Sequence, residues 1–510
     1  MNATVTPQKV ALPAAKAGIL HRVATALPGW AWLTLIAGFL RFVNIGQEAL
    51  WYDESFTAWL SKLDWTNLWQ AIRGDVHPPL WYVIEWVNVR LFGTSEIALR
   101  VPSAILGVLC VLVVWRLAIQ VGFRPRTAFA AGLLAAILPA AIYYSQDARM
   151  YPLLACCVLA AALFAMRGNW ILFGLASVGA VYAQNLGVLY VLAIGIVLLL
   201  TRARSARRAA HSVRHIIAPV LALAGVVTVW APWALWGITN QISQMSKGFW
   251  IQPVTLGGLL TPLVSMTTGW RIAEQFQIHV AVVAVSLSLV GLIASRHWIF
   301  KREGLFVLAV VIGTPVLIAL ASFVWRSIYL PRAMLPSTLA LMLIWAYPLE
   351  HLGKQNKVVA RAVVVPILAL ALISHYFPAT GARFAIEDWT QKITDNWQRG
   401  DVVYHIAIDS TIMFRYYLPS QPYYLMPEAT DLNQSLTPQT KAAMGFSEAT
   451  FDQLALMGYR RAWLVVSDNL MTSTKEENTV RNILASHAYS VMKEDDQLYN
   501  KKVIYLVTLS

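Results

Sequence analysis

Charged residues are scarce in this sequence of 510 residues: Asp, Glu, Lys and Arg together make up 13%, whereas a soluble domain has about 25%. The shortage excludes a disordered chain, which would be rich in charge and poor in apolar residues. Hydrophobic residues supply 58% of the sequence, and the 21 Trp and 19 Tyr are residue types that favour membrane–water interfaces. The composition therefore predicts a polytopic membrane protein.

Cysteine is also rare. The three cysteines, Cys110, Cys156 and Cys157, all lie within apolar runs. Their placement indicates neither a disulfide framework nor a thiolate metal site. The sequence also shows no internal repeat and no low-complexity tract.

Acidic residues are few in the first three quarters of the chain. Residues 1–378 contain 11 acids and 28 Lys or Arg, whereas residues 379–510 contain 15 acids and 12 Lys or Arg. The basic residues form short clusters between apolar runs, a pattern typical of cytoplasmic loops rather than of a nucleic-acid-binding surface. The net charge of +14 is therefore explained by basic loops that fix the orientation of the protein in the membrane.

Eleven apolar runs are long enough to be candidates for crossing about 30 Å of hydrocarbon. They predict a transmembrane module over 28–378, after a cytoplasmic segment 1–27 with no signal-peptide cleavage site. The runs at 170–185 and 187–201 could also form one kinked pair. The eleven predicted spans are 28–46, 97–119, 127–144, 150–166, 170–185, 187–201, 216–238, 279–295, 305–324, 333–349 and 361–378.

A long external loop, 47–96, follows the first span. Its apolar stretch 78–93 could be a further crossing, but the stretch is short and contains Glu85 and Arg90. A further crossing would also move the basic cluster 202–214 to the outside, against the positive-inside rule. We therefore predict that 78–93 is a helix lying along the outer membrane surface.

Short apolar stretches alternate with polar, helix-prone stretches over residues 379–510. This pattern predicts a small α/β domain of 132 residues. Eleven crossings place it on the outer, periplasmic or extracellular side. The domain contains no Gly-rich phosphate loop, no His/Cys cluster and no nucleophile elbow.

Seven of the eleven acids of residues 1–378 lie in the external loop. Asp53 and Glu54 stand beside Trp51 and Tyr52, where a carboxylate could act as a general base between aromatic walls. The alternative is that the two acids simply cap the start of a helix. Carboxylates next to hydrocarbon are usually functional or paired.

Three further clusters are expected on the same membrane face. His77 stands between Asp75 and two prolines that open a helix, where it could face an anion or sit in a turn; a lone His near one Asp is weak evidence for a metal ligand. The stretch 143–152 is predicted to be a hairpin that could bind substrate, or that simply holds an Asp147–Arg149 pair at a helix end beside interfacial tyrosines. Arg332 could bind a lipid-linked phosphate or extend to the interface as a snorkelling arginine. The candidates in the hairpin are Tyr144, Asp147, Arg149 and Tyr151.

Five motifs in order cover about the first 350 residues of the chain. They make it resemble the GT-C superfamily of membrane glycosyltransferases, near the bacterial protein O-mannosyltransferases and the lipid A aminoarabinose transferases. The motifs are W-Y-D-E-S at 51–55, H-P-P-L-W-Y at 77–82, E-I-A-L-R-V-P-S at 96–103, Y-Y-S-Q-D-A-R-M-Y-P at 143–152 and P-R-A-M-L-P at 331–336.

This resemblance implies transfer of a sugar from a polyprenyl-phosphate carrier at the outer face of the bacterial inner membrane. It makes Asp53 the catalytic base, with His77, Arg149 and Arg332 holding the donor phosphate and sugar. Many relatives have Glu where this chain has Asp147, Tyr where it has Ala333, and a His near Gln184. The sugar is therefore left open, and the acceptor could be a lipid, a glycan or a protein.

A single inverting displacement requires only one carboxylate, because no covalent sugar–enzyme intermediate forms. We expect Asp53 to be the base, Glu54 to support it or contact the acceptor, and Asp147 to orient the sugar or stabilise Arg149. Tyr144 and Tyr151 are expected beside the donor phosphate. The scheme requires no metal or other cofactor.

Two other classes of protein fit parts of this pattern. A transporter or flippase of a lipid-linked saccharide would place polar sites near the bilayer midplane, within inverted repeats that this sequence lacks. A membrane scaffold with an external binding domain would leave the acid and arginine clusters unexplained. The sequence favours the glycosyltransferase.

Overall fold

The chain is described here by a computed structural model. It covers residues 27–208, 214–238, 251–348, 358, 365–366, 369–377, 386–427, 436–467, 474–497 and 500–509, apart from 252, 256 and 270–273. The predicted cytoplasmic segment 1–27 therefore lies outside the described residues, except for Leu27. The predicted boundary at 378/379 also lies outside them.

Helices dominate the first 350 residues, as the apolar runs predict. The external loop between the first two apolar helices contains three helices of its own, α2 to α4. The helices are α1 (Gly29–Phe42), α2 (Tyr52–Lys62), α3 (Trp65–Arg73), α4 (Leu80–Phe92), α5 (Glu96–Gln120), α6 (Pro125–Ile137), α7 (Pro139–Ser145), α8 (Tyr151–Arg167), α9 (Trp170–Ala183), α10 (Gly187–Arg208), α11 (Arg214–Trp233), α12 (Thr261–Thr268), α13 (Glu274–Ile299), α14 (Arg302–Leu308), α15 (Thr314–Val324) and α16 (Leu335–Ala346).

Five helices in the described part of the chain are long and apolar enough to cross a membrane, or six if one bent pair counts as a single span. Three shorter apolar helices, α1, α8 and α9, accompany them. The polytopic helical class is thus confirmed. The number of eleven crossings stays a prediction, and the run 361–378 is described only over 365–366 and 369–377.

The predicted span 127–144 is broken into α6 and α7, which meet at an angle of 57°. Pro139 causes the break, because it has no N–H and disfavours helical geometry at the residue before it. Leu138 accordingly adopts an extended conformation, with φ −66° and ψ 116°. The runs at 170–185 and 187–201 are two separate helices, α9 and α10.

The predicted helix at 78–93 is present as α4. One side of α4 is buried in the protein, where Trp81, Tyr82, Glu85 and Asn88 lie, and α4 packs against α2 and α5. The external loop is therefore a folded layer that covers the ends of the apolar helices.

A mixed sheet of five strands forms the C-terminal region and confirms the predicted α/β class. The strand order is β2-β1-β3-β5-β4, with β1 parallel to both β2 and β3 and β5 antiparallel to β3 and β4. The strands are β1 (Asp401–His405), β2 (Tyr423–Leu425), β3 (Arg461–Ser467), β4 (Tyr489–Gln497) and β5 (Asn500–Thr508), and the helices are α17 (Ile386–Asp395), α18 (Ile408–Tyr417), α19 (Pro438–Met444), α20 (Phe451–Leu456) and α21 (Thr474–Ser486).

The C-terminal region packs directly on the external loop. The backbone N–H of Leu50 donates to the Tyr417 hydroxyl at 2.8 Å, and the Tyr416 hydroxyl donates to the Thr94 carbonyl at 2.6 Å. Helix α18 also packs against α2. These contacts hold α2 between the C-terminal region and the apolar helices.

Candidate active site

Asp53 lies in the first turn of α2, whose N-cap is Trp51. Its Oδ2 is 3.0 Å from Arg332 Nη1 and 3.6 Å from Arg149 Nε. The Asp53 side chain is mostly buried and keeps 13% of its surface exposed. Three segments that are far apart in the sequence thus meet at one carboxylate oxygen.

Opposing effects set the protonation of Asp53. Burial raises the pKa of its carboxyl, but the guanidinium groups of Arg149 and Arg332 outweigh burial and hold the pKa below its usual value. Asp53 is therefore ionised, and it neutralises part of the charge of the two arginines.

Arg149 is buried and links Asp53 to His77. Its Nη2 is 3.2 Å from His77 Nε2, and its Nη1 is 3.4 Å from Thr57 Oγ1 on α2. On the other side of the imidazole, His77 Nδ1 lies 3.1 Å from Asp75 Oδ2. Because a guanidinium can only donate, His77 Nε2 accepts a hydrogen bond from Arg149. The imidazole proton is then on Nδ1, which donates a hydrogen bond to Asp75.

Asp75 is itself held from α4, where the Tyr82 hydroxyl donates to its Oδ2 at 2.7 Å. Burial raises the pKa of Asp75, but His77 and Tyr82 offset this and lower the pKa below its usual value. Asp75 therefore orients His77. From the sequence, His77 with Asp75 two residues away gave weak evidence for a metal ligand, whereas the geometry of Asp75 is that of a positioning group.

Aromatic rings enclose the arginines. The guanidinium carbon of Arg332 lies 5.5 Å from the centroid of the Tyr151 ring and 5.8 Å from that of Trp51. Tyr144 packs edge-on against Tyr151, with the ring centroids 5.3 Å apart. The buried Tyr151 hydroxyl has no hydrogen-bond partner among the described residues. It is available to a ligand oxygen at this site.

Asp147 is fully buried, and its Oδ1 accepts a hydrogen bond from the Trp51 indole at 2.8 Å. This contact ties the 143–152 hairpin to the N-terminus of α2. Asp147 thereby positions Trp51, one of the rings beside Arg332.

Glu54 faces away from Asp53. It forms a buried ion pair with Arg100 on α5, with distances of 2.7 and 2.8 Å, and its Oε1 accepts from the Ala148 backbone N–H at 2.9 Å. Arg100 also donates to the carbonyls of Ile45 and Glu48, both at 2.8 Å. This arrangement favours a positioning role for Glu54 over contact with an acceptor.

Sequence reasoning assigned no role to Arg100, Thr57 or Tyr82. A basic side chain in an apolar run near a helix start was the signal for Arg100. Asn185 was also missed as a contact: its Nδ2 donates to the Val76 carbonyl at 3.1 Å, so it holds the segment that carries His77. No cluster of three or more metal-ligating side chains occurs within the described ranges.

The predicted residues that meet around one point are Asp53, His77, Arg149, Tyr151 and Arg332, with Tyr144 and Asp147 behind them. The site combines an ionised carboxylate, two arginine side chains, an oriented imidazole and the Tyr151 hydroxyl, which has no partner in the described chain. Such a site can bind an anion and accept a proton.

Part of the chain is similar in sequence to a known protein family. Residues 76–236 match the family model described as dolichyl-phosphate-mannose-protein mannosyltransferase. No curated protein is significantly similar to the chain in sequence.

Two crystal structures of ArnT from Cupriavidus metallidurans have a similar fold. The apo structure has a TM-score of 0.59 at 17% identity and covers 96% of this chain and 98% of its own. The structure bound to undecaprenyl phosphate has a TM-score of 0.60 at 16% identity, over 94% of this chain and 98% of its own. The chain therefore has the GT-C fold of these structures and, over residues 76–236, sequence similarity to the mannosyltransferase family model.

Proposed function

We propose that this protein is a glycosyltransferase of the bacterial inner membrane, multi-pass, with its N-terminus in the cytoplasm and its C-terminal domain outside. It transfers a monosaccharide from a polyprenyl-phosphate donor to a hydroxyl of a lipid, glycan or protein acceptor at the outer face. The observation that carries the proposal is the Asp53 carboxylate held between Arg149 and Arg332.

The two arginines form the donor-phosphate site. Both face one carboxylate oxygen, and the guanidinium fork binds phosphate oxygens in the same way as carboxylate oxygens. A donor phosphate would compete with Asp53 for them, with the Tyr151 hydroxyl as a further donor. The family model and the ArnT structure support this choice, because the descriptions of both name a lipid phosphate.

Donor binding would also activate the base. When the arginines turn to the phosphate, the cations that lower the pKa of Asp53 are withdrawn, while burial continues to raise that pKa. The pKa of Asp53 therefore rises toward the range of an effective base. The base would become strong only when a donor is present.

The reaction is then a single displacement. Asp53 takes the proton of the acceptor hydroxyl, and the hydroxyl oxygen forms a bond to the anomeric carbon. The bond from that carbon to the phosphate oxygen breaks, and its electron pair stays on the phosphate. Arg149 and Arg332 neutralise the polyprenyl phosphate that leaves, so the scheme requires no metal.

The test is Asp53→Asn, which keeps the size of the side chain and removes its basicity. We expect kcat for transfer from a radiolabelled polyprenyl-phosphate sugar to fall about 10²- to 10⁴-fold. Asp64→Asn is the matched control, because Asp64 caps α3 in the same loop and Asn caps helices equally well.

Transfer by Asp53→Asn protein at the wild-type rate would exclude Asp53 as the base. Movement of intact lipid-linked sugar across a vesicle membrane, with no new glycosidic bond, would instead identify a transporter.

A further inference from the structure

A cavity of about 330 Å³ lies between the ends of α5, α13, α14 and α16. It is far from Asp53. Helix α5 contacts Glu54 through Arg100 near its start and reaches the cavity only after Gln120. With 25 residues, α5 spans about 37 Å at 1.5 Å per residue, roughly the thickness of a bilayer.

Helix α16 gives the same placement. It begins directly after the segment that carries Arg332 and ends before Tyr347, which lines the cavity. The cavity therefore opens at the end of the membrane helices opposite to the Asp53 site, and a molecule bound in one cannot reach the other.

The floor of the cavity is aromatic. Phe123 packs edge-on against Trp298, with the centroids 5.2 Å apart, and Tyr347 lies 5.5 Å from Phe123 and 5.7 Å from Trp298. Trp298 is only 6% exposed, and its indole N–H has no hydrogen-bond acceptor in the described chain. A buried donor needs an acceptor, and a molecule bound in the cavity that Trp298 lines would be a source of one.

The rim supplies positive charge. Arg124 and Lys301 line the cavity and are exposed. Glu303 also lines it, but lies in the first turn of α14, where its charge complements the helix dipole. Two cations and an indole donor together favour an anion, and basic pockets between membrane helices are typical binding sites for phosphate headgroups.

We propose that this cavity binds a phosphate ester, with the phosphate between Arg124 and Lys301 and the rest of the headgroup on the aromatic floor. The volume is at the lower end of the range for small-ligand sites, about 300–1,000 Å³, and suits a glycerol phosphate headgroup. The ester comes from an anionic lipid of the leaflet opposite to the Asp53 site or from a soluble glycerol phosphate.

The probe is phosphatidylglycerol, added to delipidated full-length protein in detergent, with bound lipid counted by native mass spectrometry. We expect saturable binding that weakens at least about tenfold in the double variant Arg124→Gln, Lys301→Gln, because hydrogen bonds to charged groups are removed. Trp298→Phe keeps the ring packing and should weaken binding less. Arg126→Gln is the matched control, since Arg126 is exposed and does not line the cavity.

Two further probes complete the test. Phosphatidylcholine with the same acyl chains should not saturate this site; equal binding of both lipids, or unchanged affinity in the double variant, would overturn the proposal. Glycerol 1-phosphate tests the source. If glycerol 1-phosphate binds to the wild type and this binding is lost in the double variant, the ligand is a soluble ester. If phosphatidylglycerol binds and glycerol 1-phosphate does not, the ligand is a membrane lipid.

Discussion

Asp53 and Glu54 are neighbours in the sequence, but they have different environments. Successive residues of an α-helix point about 100° apart, so Asp53 faces Arg149 and Arg332 while Glu54 faces Arg100. From the sequence, both acids beside aromatic residues could be interpreted as a general-base site or as the cap of a helix. The sequence could not predict which acid would meet which arginine, since that choice depends on the rotation of α2 against α5.

Removing the charge of Glu54 should therefore destabilise the protein. In Glu54→Gln the buried Arg100 loses the carboxylate with which it forms its ion pair, and breaking a buried ion pair costs about 3–5 kcal/mol. The expected result is a clearly lower midpoint of thermal unfolding in detergent. A variant that keeps the wild-type midpoint but loses transfer activity would show that Glu54 acts on substrate instead.

At Arg332 we expect the shape of the side chain to matter as well as its charge. Arg332→Lys keeps a cation but loses the planar fork, so KM for the donor should rise, and Arg332→Ala should raise it further. A hydrogen bond to a charged group contributes about 1.5–3 kcal/mol, which is roughly 10- to 150-fold in affinity. Donor affinity that is unchanged in Arg332→Ala would contradict a phosphate-binding role.

At the scale of elements, the break between α6 and α7 places the hairpin that carries Asp147 and Arg149. The last carbonyls of α6 have no helical partner after the break. Arg41 donates to them, at 3.1 Å from the Ala136 oxygen and 3.4 Å from that of Ala135, and its Nε lies 3.2 Å from Ser145 Oγ. The buried Arg41 thus joins both halves of the bent pair.

This arrangement needs a residue without a side chain on α5. A Cβ at Gly107 would overlap Ser145 Oγ and would lie 2.8 Å from Arg41 Nε. Gly107→Ala should therefore destabilise the protein by about 1–3 kcal/mol through overpacking, and lower kcat by shifting the hairpin. Gly38→Ala is the control, because nothing lies within 4 Å of its Cβ position.

For Gly38→Ala we expect unchanged activity and an equal or higher unfolding midpoint, since Ala favours a helix over Gly. If both glycine variants behave like the wild type, the contact between α5 and α7 does not position the hairpin.

Hydropathy predicted most of the apolar helices, because a crossing requires a long apolar run. Short apolar stretches between polar, helix-prone stretches predicted the α/β class of the C-terminal region. The break at Leu138 could also have been predicted from the sequence, since Pro139 follows it and disfavours helical geometry there. Helices α2 and α3 were not predicted. They are short and polar on one side, and their stability comes from packing between the C-terminal region and the apolar helices.

At the scale of the whole molecule, the C-terminal region shapes the site although it contributes no predicted catalytic residue. It contacts the external loop at both ends of the layer, through Tyr416 and Tyr417 on α18 and through Thr440 on α19, whose hydroxyl lies 3.3 Å from the Ala71 carbonyl. Since α2 carries Asp53, the orientation of the base depends on this docking. Sequence patterns could predict both regions but not this interface, because its contacts join residues more than 300 positions apart.

Gly74, which ends α3, lies directly against Thr437 and Thr440 of the C-terminal region. A Cβ there would overlap the hydroxyls of Thr437 and Thr440, so Gly74→Ala should push α19 away from the loop. We expect faster amide hydrogen exchange over 438–444, a lower unfolding midpoint and a lower kcat. The double variant Gly74→Ala, Thr440→Ala removes one of the two overlaps and should recover part of each loss. A Gly74→Ala protein with wild-type exchange and activity would show that the C-terminal region does not hold the loop in place.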